Sequence, residues 1–286
     1  MNKDLKHPIA TAIVILLCCA VIMALLTLEF RKMFIEEPIY TTDAVTEIKM
    51  LSDYMPVLKD TPGDTEVYIM RGEQEGASLL VLGGTHPREP AGTLSAIALI
   101  ENASAQVGTL YIIPRVNESA YTCTEPLEAT PAGFTIQTPT GPRYFRNASR
   151  VSNPIHQWPD PDIYKHNTGQ LLNGKEVRNV NRVYPGKENG ELTEQIAAAI
   201  VAFINAEGID VTIDLHEGPP EFSSLNAVIV HEDAMELTSQ AVFNMSFDGV
   251  ELDVQPSPKE LHGYSHRELG DYTDTMAVLP ETCNIE

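Results

Sequence analysis

The chain has 286 residues and a mass of 31.4 kDa, with 19 basic and 40 acidic side chains and a formal net charge of −21. A hydrophobic fraction of 43% beside 21% charged residues is that of a folded protein and excludes disorder throughout. The acidic balance argues against a nucleic-acid binder, which needs a basic face to displace phosphate counterions, and 4 cysteines exclude a disulfide-dense miniature scaffold.

Lys3 and Lys6 precede an uncharged run from Pro8 to Leu28. A helix rises about 1.5 Å per residue, so about 20 apolar residues cross the hydrocarbon core. The run ends in Leu-Thr-Leu-Glu-Phe-Arg-Lys, without the small-residue site of a cleaved signal peptide. Cys18 and Cys19 suggest a lipoprotein, but Leu17 stands where a small residue is needed. Residues 1–32 are therefore expected to form a retained, single-pass transmembrane helix. Lys3 and Lys6 favour an inside N-terminus and Arg31 and Lys32 oppose it; because long domains translocate largely regardless of charge, the following domain is expected outside the cytoplasm. Cys123 and Cys283 could pair there.

Residues 33–65 are mixed and polar. They read as a juxtamembrane stalk with a helix near Ala44–Leu58. From residue 66 to 286, short apolar runs recur at Ser78–Leu82, Leu110–Ile113, Val211–Leu215, Ala227–Val230 and Met276–Leu279, each with the length and continuous apolarity of a buried parallel strand. Helical spacing marks Ala91–Glu101 and Glu191–Asn205, with Thr193 as a candidate N-cap of the second. Strands alternating with helices predict an α/β sheet covered on both faces. Residues 117–175, rich in Pro, Thr, Asn and Gly, interrupt this rhythm as either a functional loop or a surface insertion.

In Leu79–Gly92 (LLVLGGTHPREPAG) an apolar strand runs into Gly83-Gly84, then His86 and Glu89, then a helix. Functional groups of open α/β sheets gather at the carboxyl ends of strands. An imidazole and a carboxylate three residues apart in such a turn can share one cation, and Zn²⁺ accepts both while keeping a position open for water. Val211–Leu215 delivers His216 at a second strand end as a third ligand, and Asp214 could brace it. A general base must then take a proton from water. Glu217, Glu221 and Glu281 are candidates, and Glu281 is preferred because it follows another apolar run. Asn181 and Arg182, in NVNRVYPG, suit a substrate carboxylate, since a guanidinium fork binds it bidentately. Arg178, Arg143 and Arg146 could add a second positive group, and Tyr264, in LHGYSHREL, could close over substrate. Gly83-Gly84 is no nucleotide loop, because the spaced glycines of G-x-G-x-x-G are missing.

Taken together, GGTHPREPAG, NRVYPG, IDLHEGP and LPETC, in this order, resemble the succinylglutamate desuccinylase/aspartoacylase family, related to the zinc carboxypeptidases. The resemblance spans roughly residues 66–286. It implies a mixed, mostly parallel central sheet flanked by helices, one Zn²⁺ on His86, Glu89 and His216, substrate carboxylate binding by Asn181 and Arg182, and Glu281 as the base. The implied activity is hydrolysis of an amide bond in a carboxylate-bearing N-acyl amino acid. Two alternatives stand beside it: a metallocarboxypeptidase acting on peptides, and a non-catalytic zinc-binding module on a hydrolase scaffold. Pro87 and Tyr184 depart from the family's usual Gly and Phe. The resemblance also implies further sheet and helix after Glu281, so the C-terminus is expected either to be cut short or to close the domain on this strand.

Overall fold

The computed structural model describes residues 6–124, 131–218 and 226–283. Glu221 and the Lys3 flank of the apolar run lie outside them. Helix α1 (Lys6–Phe30) carries the apolar run; it is exposed along its length and is long and apolar enough to cross a membrane. A 3₁₀ turn, Arg31–Phe34, follows it.

The segment expected as a juxtamembrane stalk contributes buried groups. Met33 is buried, and Glu37 forms a buried ion pair with Arg146 at 2.7 Å. The helix expected near Ala44–Leu58 is instead strand β1 (Glu47–Met50) and two 3₁₀ turns, Leu51–Asp53 and Pro56–Leu58. Leu51, Met55 and Leu58, spaced like a helical face, enter the main core from these turns. Pro56 explains the break, since proline at this point cannot continue a helical ladder.

The sheet then builds from β2 (Glu66–Arg71), β3 (Gln74–Leu82) and β4 (Val107–Ile113), with α2 (Pro90–Asn102) crossing between β3 and β4. Two hairpins follow, β5–β6 (Gly133–Thr138, Gly141–Arg146) and β7–β8 (Ile163–Lys165, Leu171–Asn173). A helical turn α3 (Val180–Val183) precedes α4 (Leu192–Glu207), then β9 (Val211–Asp214), β10 (His216–Gly218), β11 (Ala227–Val230), α5 (Met235–Ser246), β12 (Asp253–Pro256), α6 (Ser265–Tyr272) and β13 (Met276–Cys283).

Among the described residues nine strands form one mixed sheet in the order β1-β2-β4-β3-β9-β13-β11-β12, with β10 also on β13. Its centre, β4-β3-β9-β13, is parallel. Strand β11, read as parallel from its continuous apolarity, runs antiparallel to β13, with Val230 opposite Val278; apolarity reports burial on two faces, not direction. The two-residue strand period divides the core. Leu80 and Leu82 face α4 and meet Ile196, Ile200 and Phe203. Val81 faces α2 and meets Ala96 and Ile100. Thr193 does not cap α4. Glu191 does, in a reciprocal capping box with Glu194, while the Thr193 hydroxyl donates to Gln157 Oε1 at 2.7 Å.

Candidate active site

Three central strands end side by side, and each releases one part of the site. After β3, Gly83 N–H still bonds Ile113 O, and Gly84 then turns the chain at φ +65°. A side chain at Gly84 would collide with the Tyr121 hydroxyl. The turn closes with Glu89 N–H on His86 O at 2.9 Å, and Pro90 starts α2. Glu89 thus sits at the helix N-terminus, where unpaired N–H groups favour a negative charge. After β9, Leu215 N–H bonds Leu82 O, and the chain enters β10 at His216. Strand β13 places Glu281 as the register partner of His216.

His86 Nδ1 is 2.7 Å from Glu89 Oε1, and His216 Nδ1 is 2.9 Å from Glu89 Oε2. The two rings meet edge to face at 4.7 Å. One donor atom from each of the three lies within 4.8 Å of the others. Ligand atoms of a tetrahedral zinc stand about 3.4 Å apart, so the widest pair would close in by about an ångström on binding. The far nitrogens settle the fit. His86 Nε2 faces Asn179 Oδ1 at 2.8 Å and His216 Nε2 faces Asp214 Oδ2 at 2.9 Å. Both partners are acceptors, so with a cation on the Glu89 side each ring would carry its proton on Nε2 and turn its Nδ1 lone pair to the ion. Two lone pairs aimed at a carboxylate suit a cation between them.

The supporting contacts extend inward. Asp214 is buried and accepts from Thr85 Oγ1 at 2.7 Å and Ser265 Oγ at 2.6 Å. Without a cation the cluster divides its charge unevenly. Burial drives the His86 pKa down to about 4. Burial also works against a charged His216, but Asp214 and Glu89 on either side overcome it and raise that pKa to about 10. Glu89 lies well below the carboxylate range: burial opposes this, and the two imidazoles prevail. Burial raises Glu281, which His216 partly offsets.

A cleft of about 510 Å³ opens over this cluster, lined by His86, Glu89, His216 and Glu281, and by Asn181, Arg182 and Tyr264 from the second half of the chain. The Tyr264 ring covers the Arg182 guanidinium at 3.9 Å from its centroid. Gly263, at φ +87°, makes this approach possible, because a side chain there would strike the Arg182 carbonyl. Asn181 Oδ1 accepts from Ser265 N–H, which leaves its NH₂ as the donor end. The opposite wall is apolar: Ile229, Pro256, Pro258, Leu261 and Leu279.

Arg178 is not brought to the cleft. It is buried, with Nε and Nη2 on Asp160 at 2.7 and 3.0 Å and Nη1 on Ser152 O. Arg143 and Arg146 are likewise engaged elsewhere, with Glu101 and Glu37. The second arginine of the cleft is Arg150, whose Nε stands 3.9 Å from Glu89 Oε1. Glu217 braces the turn instead of facing the reaction, taking the Ala91 N–H at 2.8 Å. His266 was also missed. It lines the cleft, bonds Ser257 Oγ at 2.8 Å and is held neutral, its pKa lowered to about 3 by burial and then by the charge at His216. Arg150 comes from the irregular region 117–175, and His266 stands two residues from Tyr264 in the same motif.

No family model matches the chain, and no curated protein matches it. Among solved structures it is similar to an aspartoacylase family protein from Mesorhizobium loti, at 19% identity and TM-score 0.45 over 77% of this chain and 56% of that one. An ectoine utilization protein from Ruegeria pomeroyi gives 17% identity and TM-score 0.47 over 76% of this chain and 53% of that one. A metallo-carboxypeptidase from Burkholderia cenocepacia gives 11% identity and TM-score 0.47 over 81% and 58%. The chain thus spans little more than half the length of these structures.

Proposed function

We propose that the chain is a membrane-anchored, zinc-dependent amidohydrolase of the succinylglutamate desuccinylase/aspartoacylase type, acting on a carboxylate-bearing N-acyl amino acid. One observation carries this: the Nδ1 atoms of His86 and His216 both turn to the Glu89 carboxylate while the acceptors Asn179 Oδ1 and Asp214 Oδ2 face their Nε2 atoms. The donor set, two imidazoles and a carboxylate, is that of a catalytic zinc site with a position left for water. When bound there, the ion would polarise a carbonyl and lower the pKa of water.

The chain's own groups supply the rest. Arg182, held flat under Tyr264, takes the substrate carboxylate through its fork, with the Asn181 amide beside it. Burial works against its charge and lowers its pKa, so an entering anion relieves a cost already present. Glu281, raised by burial, accepts a proton from the attacking water and returns it to the departing nitrogen. Arg150, in the place the sequence suggested for Arg178, meets negative charge as it develops on the carbonyl oxygen. Helix α1 holds the domain to a membrane, on its outer side.

The apolar wall of Ile229, Leu261 and Leu279 favours a second reading, a carboxypeptidase that seats an apolar side chain of a peptide. Metal content of the purified chain, with His86→Ala and His216→Ala as controls, tests the site. Hydrolysis of a panel of N-acyl amino acids and short peptides separates the two activities. Metal content unchanged in both variants overturns the proposal, and stoichiometric zinc without turnover on either panel leaves a binding module.

A further inference from the structure

The structure carries an apolar face that the catalytic reading does not use. Ile155 is 85% exposed and Trp158 is 72% exposed, on the loop between β6 and β7. Ile155 also lines a cavity of about 840 Å³ whose other apolar walls include Phe30, Met33, Phe34, Val151 and Pro154. Phe30 is the last residue of α1, and the apolar span reaches Phe34. The loop and the exit of the span therefore face one another across a single gap.

The connection is short and fixed. Six residues separate Phe30 from Glu37, and four of them are wound in the 3₁₀ turn Arg31–Phe34. Such a segment reaches at most about 20 Å. It ends in the buried Glu37–Arg146 pair, and Arg143 Nη2 donates to Pro38 O at 2.7 Å just beyond. The domain has no tether on which to stand away from the bilayer surface. The interfacial layer, where Trp is favoured because its body is apolar and its N–H polar, is about 5–8 Å deep on each side.

We propose that the Pro154–Trp158 loop is seated in the lipid interface beside α1, so that lipid fills the gap between Ile155 and Phe34. This rests on the reading of α1 as a membrane span. The bilayer is the favoured partner because Ile155, three residues from Trp158, shares one cavity with Phe30 and Phe34 at the end of that span.

Trp158 is the chain's single tryptophan, so its fluorescence reports this loop alone. The full chain is reconstituted in phosphatidylcholine/phosphatidylglycerol nanodiscs, with and without lipids brominated near the headgroup end of the acyl chain. The expected result is an emission blue-shifted from that of the urea-unfolded chain and loss of intensity in the brominated lipid. Ile155→Asp, at an exposed position, should fold and lose most of that quenching. Emission that stays solvent-like, or a blue shift without lipid quenching, overturns the proposal; the second outcome means that protein covers the patch. Labelling by a polar maleimide, mapped by peptide mass spectrometry, keeps this apart from the span reading. Protected Cys18 and Cys19 with an unquenched Trp158 sink the seat alone, whereas labelled Cys18 and Cys19 sink both.

Discussion

His216 and Glu281 face each other as register partners on adjacent parallel strands, β10 and β13. The proposed metal ligand and the proposed proton carrier are thereby held side by side by backbone hydrogen bonds. The ladder continues with Gly218 opposite Cys283, and a side chain at Gly218 would press on Glu281 Oε1 at 2.7 Å. On the proposed mechanism Glu281→Gln keeps the shape and removes the base. Turnover should fall by about 10²–10⁴ with metal content unchanged, which steady-state kinetics and elemental analysis on the same sample will check. Full activity in that variant would assign the base elsewhere.

The two supporting acceptors behind the histidines should tune metal affinity. Asp214→Asn and Asn179→Ala are each expected to weaken it by about 10–100-fold. Competition with a chromogenic chelator measures this directly. Unaltered affinity in both would contradict the ring orientation that the site requires.

Arg182 and Arg178 should part company when mutated. Arg182→Met removes a fork proposed to hold the substrate, at about 1.5–3 kcal/mol for a hydrogen bond to a charged group, or roughly 10- to 150-fold in KM. Arg178→Met breaks the bonds to Asp160 and to Ser152 O, neither of which lines the cleft. It should lower Tm and spare KM. The reverse pattern would return Arg178 to the substrate.

Part of the acid sensitivity should trace to Glu207. Burial works to raise its carboxyl, but Tyr54, Lys49 and Tyr111 bond it and bring the pKa below 4.5. A carboxyl lowered on folding stabilises above its unfolded pKa, and this contribution is lost as pH falls through the folded value. The wild-type advantage over Glu207→Gln in thermal unfolding should therefore be full near pH 6 and shrink from about pH 4.5 downward. A constant difference across that window would rule out the carboxylate as its source.

Leu58 tests where the domain begins. It is fully buried in the main core. Leu58→Ala should cost about 2–5 kcal/mol of stability, whereas a stalk residue would cost almost nothing. Denaturant midpoints decide between them.

Much of this was legible from residue pattern. Val211–Leu215 and Met276–Leu279 declared themselves because strands buried on both faces are continuously apolar, and strand ends pointed to His86, His216 and Glu281. Strand β2, Glu66–Arg71, escaped because charged residues flank its short apolar centre. The Leu51, Met55 and Leu58 spacing imitates a helix although each residue sits in a separate short turn or between two of them. Arg150 has no local signature. It reaches the cleft only through the packing of an irregular region, which single-sequence periodicity does not encode.

The buried pair of Glu37 and Arg146 also marks where the molecule tolerates scission. From Pro8 to Lys32 the side chains are exposed; from Glu37 onward the polypeptide is tied to the domain and then woven into the sheet and its core. A protease that nicks between Phe34 and Glu36 would release the domain with its main core whole, while trimming on through Leu51 would open the interior to water. The margin between shedding and unfolding is a single short stretch of chain.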